Sequence, residues 1–135
     1  MDRLITGSCA CKAVQYAVDG RIKSVVNCHC NLCKKITGGA FETIALVSER
    51  NLEITSGEDY LIRYALTENA DKYFCRVCGT PIYNQNKRVP GNSMIHVGSL
   101  DAPNSLSPKI NLHCKSMLSW VRDITALENY EEEVP

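Results

Sequence analysis

The chain has 135 residues, 44% of them hydrophobic, and fifteen basic side chains balance fifteen acidic ones. That length and apolar content suit a single globular domain over 1–135 with a real core, and exclude a disordered chain. Zero formal charge argues against nucleic acid as a partner; no apolar run nears the ~20 residues of a membrane span, and the N-terminal stretch lacks the apolar h-region of an export signal.

Residues 13–18 alternate apolar and polar side chains, which predicts a half-buried strand. Asp19-Gly20 reads as a hairpin turn into a second strand over 22–26. Residues 32–37 predict a short helical turn ended by Gly38-Gly39. A strand over 41–47 follows, with a turn over 48–51. Two further strands, 52–55 and 60–64, flank Ser56-Gly57, and 67–71 is a polar turn. Residues 72–74 lead into Cys75-Arg76-Val77-Cys78-Gly79, and 80–83 lead out. Residues 84–92 read as a polar loop, 93–97 and 110–113 as late strands, 101–108 as loop, and 131–133 as a solvated acidic tail. Short strands with frequent turn signals predict a mainly β domain of antiparallel strands with little helix.

Eight cysteines fall at 9, 11, 28, 30, 33, 75, 78 and 114. With no export signal the expected location is the cytoplasm, where thiols stay reduced, and tight Cys-x-Cys and Cys-x-x-Cys clusters there indicate metal sites rather than disulfides. Cys75-x-x-Cys78-Gly79 has the form of a metal knuckle: the two-residue spacer lets both sulfurs face one ion, and glycine permits the tight turn. Cys9 and Cys11 can supply the other two ligands of a structural zinc. Their alternative, a mutual disulfide, would close a strained small ring. A thioredoxin-type role for Cys75 and Cys78 lacks the βαβ setting it needs.

Cys28, Cys30 and Cys33 remain, and three protein ligands with one open position are characteristic of catalytic zinc. Three thiolates on a divalent ion leave one negative charge, which suits a soft fourth ligand such as a substrate thiol better than hydroxide. Lys34 and Lys35 follow at once, either to offset that charge, to attract a substrate carboxylate, or as plain solvated surface. His29 lies between two ligands, so its side chain is expected to leave in another direction. It is a candidate proton handler more than a ligand, since histidine titrates near neutrality. Cys114, alternating with Leu112, is expected to be a buried small hydrophobe, His96 a satisfied core or edge residue, and Trp120 a core residue.

Gly7-Ser-Cys9-Ala-Cys11, then Cys28-His-Cys-Asn-Leu-Cys33-Lys34-Lys35 with Gly38-Gly39-Ala40-Phe41, then Tyr73-Phe74-Cys75-Arg-Val-Cys78-Gly79-Thr80-Pro81-Ile82 together resemble the glutathione-dependent formaldehyde-activating enzyme family, which also includes centromere protein V. Gly98-Ser99-Leu100-Asp101 and Pro108…Trp120 extend the resemblance over nearly the whole chain. It implies a β-tent fold with two zinc ions. Cys9, Cys11, Cys75 and Cys78 would hold a structural zinc, and Cys28, Cys30 and Cys33 an exchangeable one at the substrate site. It also implies a carbon–sulfur lyase that joins a small-molecule thiol, glutathione or a similar one, to a small aldehyde such as formaldehyde, or runs the reverse. The catalytic residues expected on this basis are Cys28, Cys30, Cys33 and His29. Lys12 stands where the family usually has glycine, Lys34 where arginine is frequent, Asn111 where a histidine often opens the last strand, and Ser119 where proline usually precedes the tryptophan. None of these is a proposed ligand. The alternative is a non-enzymatic zinc module for protein interaction or thiol and metal sensing. Neither nucleic acid nor a membrane is expected as a partner.

Overall fold

The computed structural model describes residues 2–135, and the chain is mainly antiparallel β, as expected. The strands are β1 (Asp2–Ser8), β2 (Gln15–Cys28), β3 (Glu42–Ser48), β4 (Leu52–Ser56), β5 (Leu61–Ala65), β6 (Ala70–Cys75), β7 (Pro81–Asn86), β8 (Asn92–His96) and β9 (Ile110–Leu112). One helix, α1 (Asn31–Thr37), and short 3-10 turns complete the described residues. The strand order is β1-β2-β3-β8-β7-β6-β5; β4 also pairs with β2, and β9 joins β2 in parallel.

β2 is the hub. Its first part pairs with β1 and β4, its second with β3 and β9. An irregularity in register between Ile22 and Ser24 bends it from one layer into the other. The predicted hairpin at Asp19-Gly20 does not form. β1 lies opposite both residues, Leu4 against Asp19 and Arg3 against Gly20, so the chain runs straight through. Gly20 has a φ of 146°, and a Cβ there would stand 2.5 Å from the Asn51 amide nitrogen, so glycine suits the position on both counts. The sequence also predicts a loop from residue 84 and leaves the N-terminal residues unassigned. In fact β1 forms there, and β7 runs on to Asn86, because β6 and β8 flank it and pair its backbone.

Alternation gives the sheet two different faces. Val25, Ala45, Val47 and Ile95 point to the core, where they meet Val14, Tyr16 and Val18. The opposite face of the same strands carries Ser24, Val26 and Cys28 on β2, and Glu42, Ile44 and Leu46 on β3. Met94 and His96 on β8 and Asn84 on β7 join them, aligned by the pairs Cys28–Glu42, Val26–Ile44, Ile44–His96 and Asn84–Met94. Polar and sulfur-bearing residues therefore gather at one end of this face, and apolar residues in its middle.

Candidate metal centres and the adjoining cavity

The loop after β1 and the turn between β6 and β7 bring Cys9, Cys11, Cys75 and Cys78 together, with the four sulfurs all within 4.8 Å of one another. Cys9 and Cys11 stand 3.6 Å apart, Cys11 and Cys75 3.9 Å. Four thiolates held ~2.3 Å from one tetrahedral ion would be ~3.8 Å apart, so the set fits zinc. Backbone amides support the sulfurs: Val14 N–H donates to Cys9 at 3.2 Å and Val77 N–H to Cys75 at 3.3 Å. Cys9 and Cys75 are buried against the core, while Cys11 and Cys78 face outward. All eight cysteines are unbridged.

Cys28, Cys30 and Cys33 form the second set, also within 4.8 Å of one another. Each comes from a different local structure. Cys28 ends β2. Cys30 is the N-cap of α1, its sulfur accepting the Cys33 N–H at 3.2 Å, and Cys33 lies in the first turn, its sulfur 3.0 Å from that of Cys30. Gly38, in the left-handed conformation, closes the helix. Burial pushes the Cys33 thiol far up, and the neighbouring Cys30 thiol and Glu42 carboxylate add to the rise. Such a thiol ionises only when a cation takes the place of its proton, so this donor set also fits a metal.

A cavity of about 220 Å³ opens on this second set, lined by Cys28, Cys30, Cys33, Glu42, Ile44 and Asn84 among others. A larger hollow of about 460 Å³, lined by Thr6, Lys12, Gln15 and Asp101, contains no cysteine.

Glu42 is the residue of this site that the sequence motifs do not reveal. It is only 3% exposed. Its Oε1 accepts from Asn84 Nδ2 at 2.7 Å and lies 2.9 Å from His96 Nε2. Burial pushes its carboxyl up, but the His96 ring and the Cys33 and Asn84 contacts outweigh burial and hold it below the usual carboxylate value. His96 is buried as expected, but its partners place it beside the cysteines rather than in the general core. One sequence signal exists: Glu42 is the single charge on its strand, in phase with Ile44 and Leu46, and an in-phase charge on a buried face requires a partner.

His29 is not brought to the three sulfurs. Adjacent strand residues point to opposite faces, and its ring lies behind Cys28, 1% exposed, against Phe41 with centroids 5.0 Å apart. Its Nε2 meets Asn111 Oδ1 at 3.0 Å, and Asn111 also accepts from Asn27 at 3.3 Å. Its Nδ1 is buried without a partner. Lys34 does not face the cavity; its ammonium donates to the Ser116 carbonyl at 2.5 Å, and Lys35 is exposed. Two expectations fail. Cys114 is exposed, because β9 itself lies exposed, Leu112 included, and His113 turns left-handed after it. Trp120 is 47% exposed, in a run of 3-10 turns that packs few residues.

Among the described residues no helix is long and apolar enough to cross a membrane. The fold resembles the crystal structure of a Rhodobacter sphaeroides protein, with a TM-score of 0.65, 24% identity, and coverage of 78% of this chain and 98% of that one. A putative glutathione-dependent formaldehyde-activating enzyme of Aspergillus terreus is 27% identical over 131 residues, 90% of this chain and 68% of the relative. An uncharacterised lyase of Schizosaccharomyces pombe is 26% identical over 77 residues, 57% of this chain and 54% of its own length. Residues 4–116, with both cysteine sets inside them, match the family described as glutathione-dependent formaldehyde-activating enzyme, and the chain belongs to that family.

Proposed function

We propose that the chain is a zinc-dependent carbon–sulfur lyase of the cytoplasm, adding a glutathione-like thiol to a small aldehyde and running the reverse cleavage. The observation that carries this is the incomplete set, Cys28, Cys30 and Cys33, opening on a cavity instead of on a fourth protein ligand. The family and the names of the relatives support the same chemistry. Cys9, Cys11, Cys75 and Cys78 would hold a structural zinc. A zinc held by Cys28, Cys30 and Cys33 would supply the positive charge that lowers the pKa of a substrate thiol.

In the forward direction the thiol sulfur bonds to the carbonyl carbon. The π pair of the carbonyl moves to oxygen, and the thiol proton ends on that oxygen. The product is a hemithioacetal, and nothing is oxidised or reduced. Glu42, kept ionised by His96 and Asn84, stands beside Cys33 on the cavity wall and is the carboxylate there that could take the thiol proton and pass it to the carbonyl oxygen. Asn84 holds the carboxylate through Oε1, and Ile44 and Leu112 add apolar wall to the cavity. His29 acts from behind, joining Asn111 of β9 to the end of β2 and so fixing Cys28. A purely structural protein with two closed zinc sites would need a fourth protein ligand here, and Cys114 lies outside the sulfur set.

Exchange between free aldehyde, thiol and hemithioacetal can be followed by NMR on the zinc-loaded chain with formaldehyde and a panel of thiols that includes glutathione. Catalysed exchange is expected for at least one thiol. Glu42→Gln should slow it by about 100-fold without changing zinc content. Failure to speed exchange with any thiol would overturn the assignment.

A further inference from the structure

The chain carries two apolar surfaces that nothing covers, and their surroundings are of opposite charge. The first is the arm that follows β9. Residues 119–126 run as 3-10 turns with no buried residue, and Trp120, Ile124, Leu127 and Tyr130 are all exposed, Leu127 at 54%. Their spacing of three or four residues is that of one side of a helical run. Eight residues of 3-10 turns are long for that geometry and marginal in water unless a surface supports them. Among the described residues, the hydrogen bonds made by 119–135 stay local, between 118 and 130. The arm holds one basic side chain, Arg122, and five acidic ones, Asp123, Glu128, Glu131, Glu132 and Glu133. Its charge is therefore −4, and the rest of the chain, with fourteen basic and ten acidic side chains, carries +4.

The second surface is an apolar trough of about 180 Å³ lined by Val26, Ile44, Leu46, Val89, Met94 and Leu112. Ile110 pairs with Val26 and Leu112 with Cys28, so β9 presents both side chains at its edge, 49% and 41% exposed. No described residue of the arm lines it. Exposed cations adjoin its lining residues in the chain: Lys23 precedes Ser24, and Lys87 and Arg88 precede Val89. One chain thus carries both halves of an interface, and its own arm stays off its own trough. We infer that two copies of this chain exchange arms. Trp120, Ile124 and Leu127 of each copy lie in the trough of the other, and the glutamates that follow meet Lys87 and Arg88. A two-fold pair satisfies both surfaces at once. The arm with the trough and its rim supplies the ~20–30 residues a side of a stable interface. The trough shares Ile44, Met94 and Leu112 with the cysteine-lined cavity, so each arm also walls the far end of the other copy's cavity and leaves the cysteine end open.

The test is analytical ultracentrifugation of the zinc-loaded full chain, with the emission of Trp120, its single tryptophan, reporting on the arm. A dimer is expected, weakening as salt rises, and Trp120 emission should shift to the blue as concentration passes through the Kd. Trp120→Ala should weaken association by about 30-fold. Two charge-reversed full chains then separate exchange from folding back. One carries Glu131→Lys, Glu132→Lys and Glu133→Lys, the other Lys87→Glu and Arg88→Glu. Each alone should associate at least about 10-fold more weakly, with its β circular dichroism signal unchanged. Mixed in equal amounts they should form a heterodimer, because each arm then meets a trough of opposite charge. A chain that stays monomeric at high concentration would overturn the exchange, whether Trp120 remains in water or is covered by its own chain. A dimer indifferent to both reversals, with Trp120 emission unchanged, would place the interface elsewhere and overturn it too. The readouts are independent of the reaction, so none of these outcomes bears on the lyase.

Discussion

At the scale of single residues, Tyr16 shows how one buried polar atom ties the fold to pH. Its side chain is 1% exposed, and its hydroxyl bonds Ser99 Oγ at 2.6 Å, joining β2 to the turn after β8. Burial pushes its phenol up to about 12, opposed by the Ser99 bond and aided by Asp101. Burial also raises Tyr83 to about 12. A pKa raised in the folded state means that the unfolded chain gives up its proton first. The stability these groups contribute is complete below about pH 10 and is lost as pH rises towards 12. Tyr16→Phe should cost about 1 kcal/mol in urea unfolding at pH 7, because Ser99 loses a buried partner, and should soften the alkaline loss between pH 10 and 12. The cysteines were legible at this scale because their chemistry needs close spacing in the chain. Glu42, Asn84 and His96 were not, because their meeting depends on three strands taking one particular register.

At the scale of elements, glycine positions separate two causes of strain. Gly57, after β4, has φ 78°, and a Cβ there would stand 1.7 Å from the Ala13 carbonyl oxygen. Gly38, the cap of α1, has φ 73° with open space around it. Gly38→Ala carries only the cost of the left-handed backbone, about 1 kcal/mol. Gly57→Ala adds a backbone clash that no side-chain rotation relieves, and should cost at least about 3 kcal/mol. The two thermal midpoints are therefore expected to differ by several degrees, Gly57→Ala the lower. The helical turn after Cys30 was readable from the run over 32–37 and its stop at Gly38-Gly39, while the Cys30 cap was not. The course of β2 was not, because Asp19-Gly20 carries a genuine hairpin signal that pairing with β1 overrides.

At the scale of the whole molecule, the mainly β class followed from short alternating runs, while the order of the strands depends on contacts between distant segments that no local pattern encodes. The two cysteine sets predict different consequences of metal loss. The zinc-loaded chain should hold two zinc ions, of which mild chelation removes one without loss of the β circular dichroism signal. Cys33→Ser should retain one zinc and the fold. Cys75→Ser should unfold the chain, since a structural zinc contributes on the order of 10 kcal/mol or more, comparable with the whole stability of a small domain. Two equally resistant ions would contradict this division. β2 gives the division a physical basis. The strand begins just after Cys9 and Cys11 of the first set and ends on Cys28 of the second, and the Cys33 amide already holds Cys30 in place. Once the first set has closed, the second is assembled with little freedom left to lose. Loss of an ion from the second set would then leave the frame in place, whereas loss from the first would release the strand at its root.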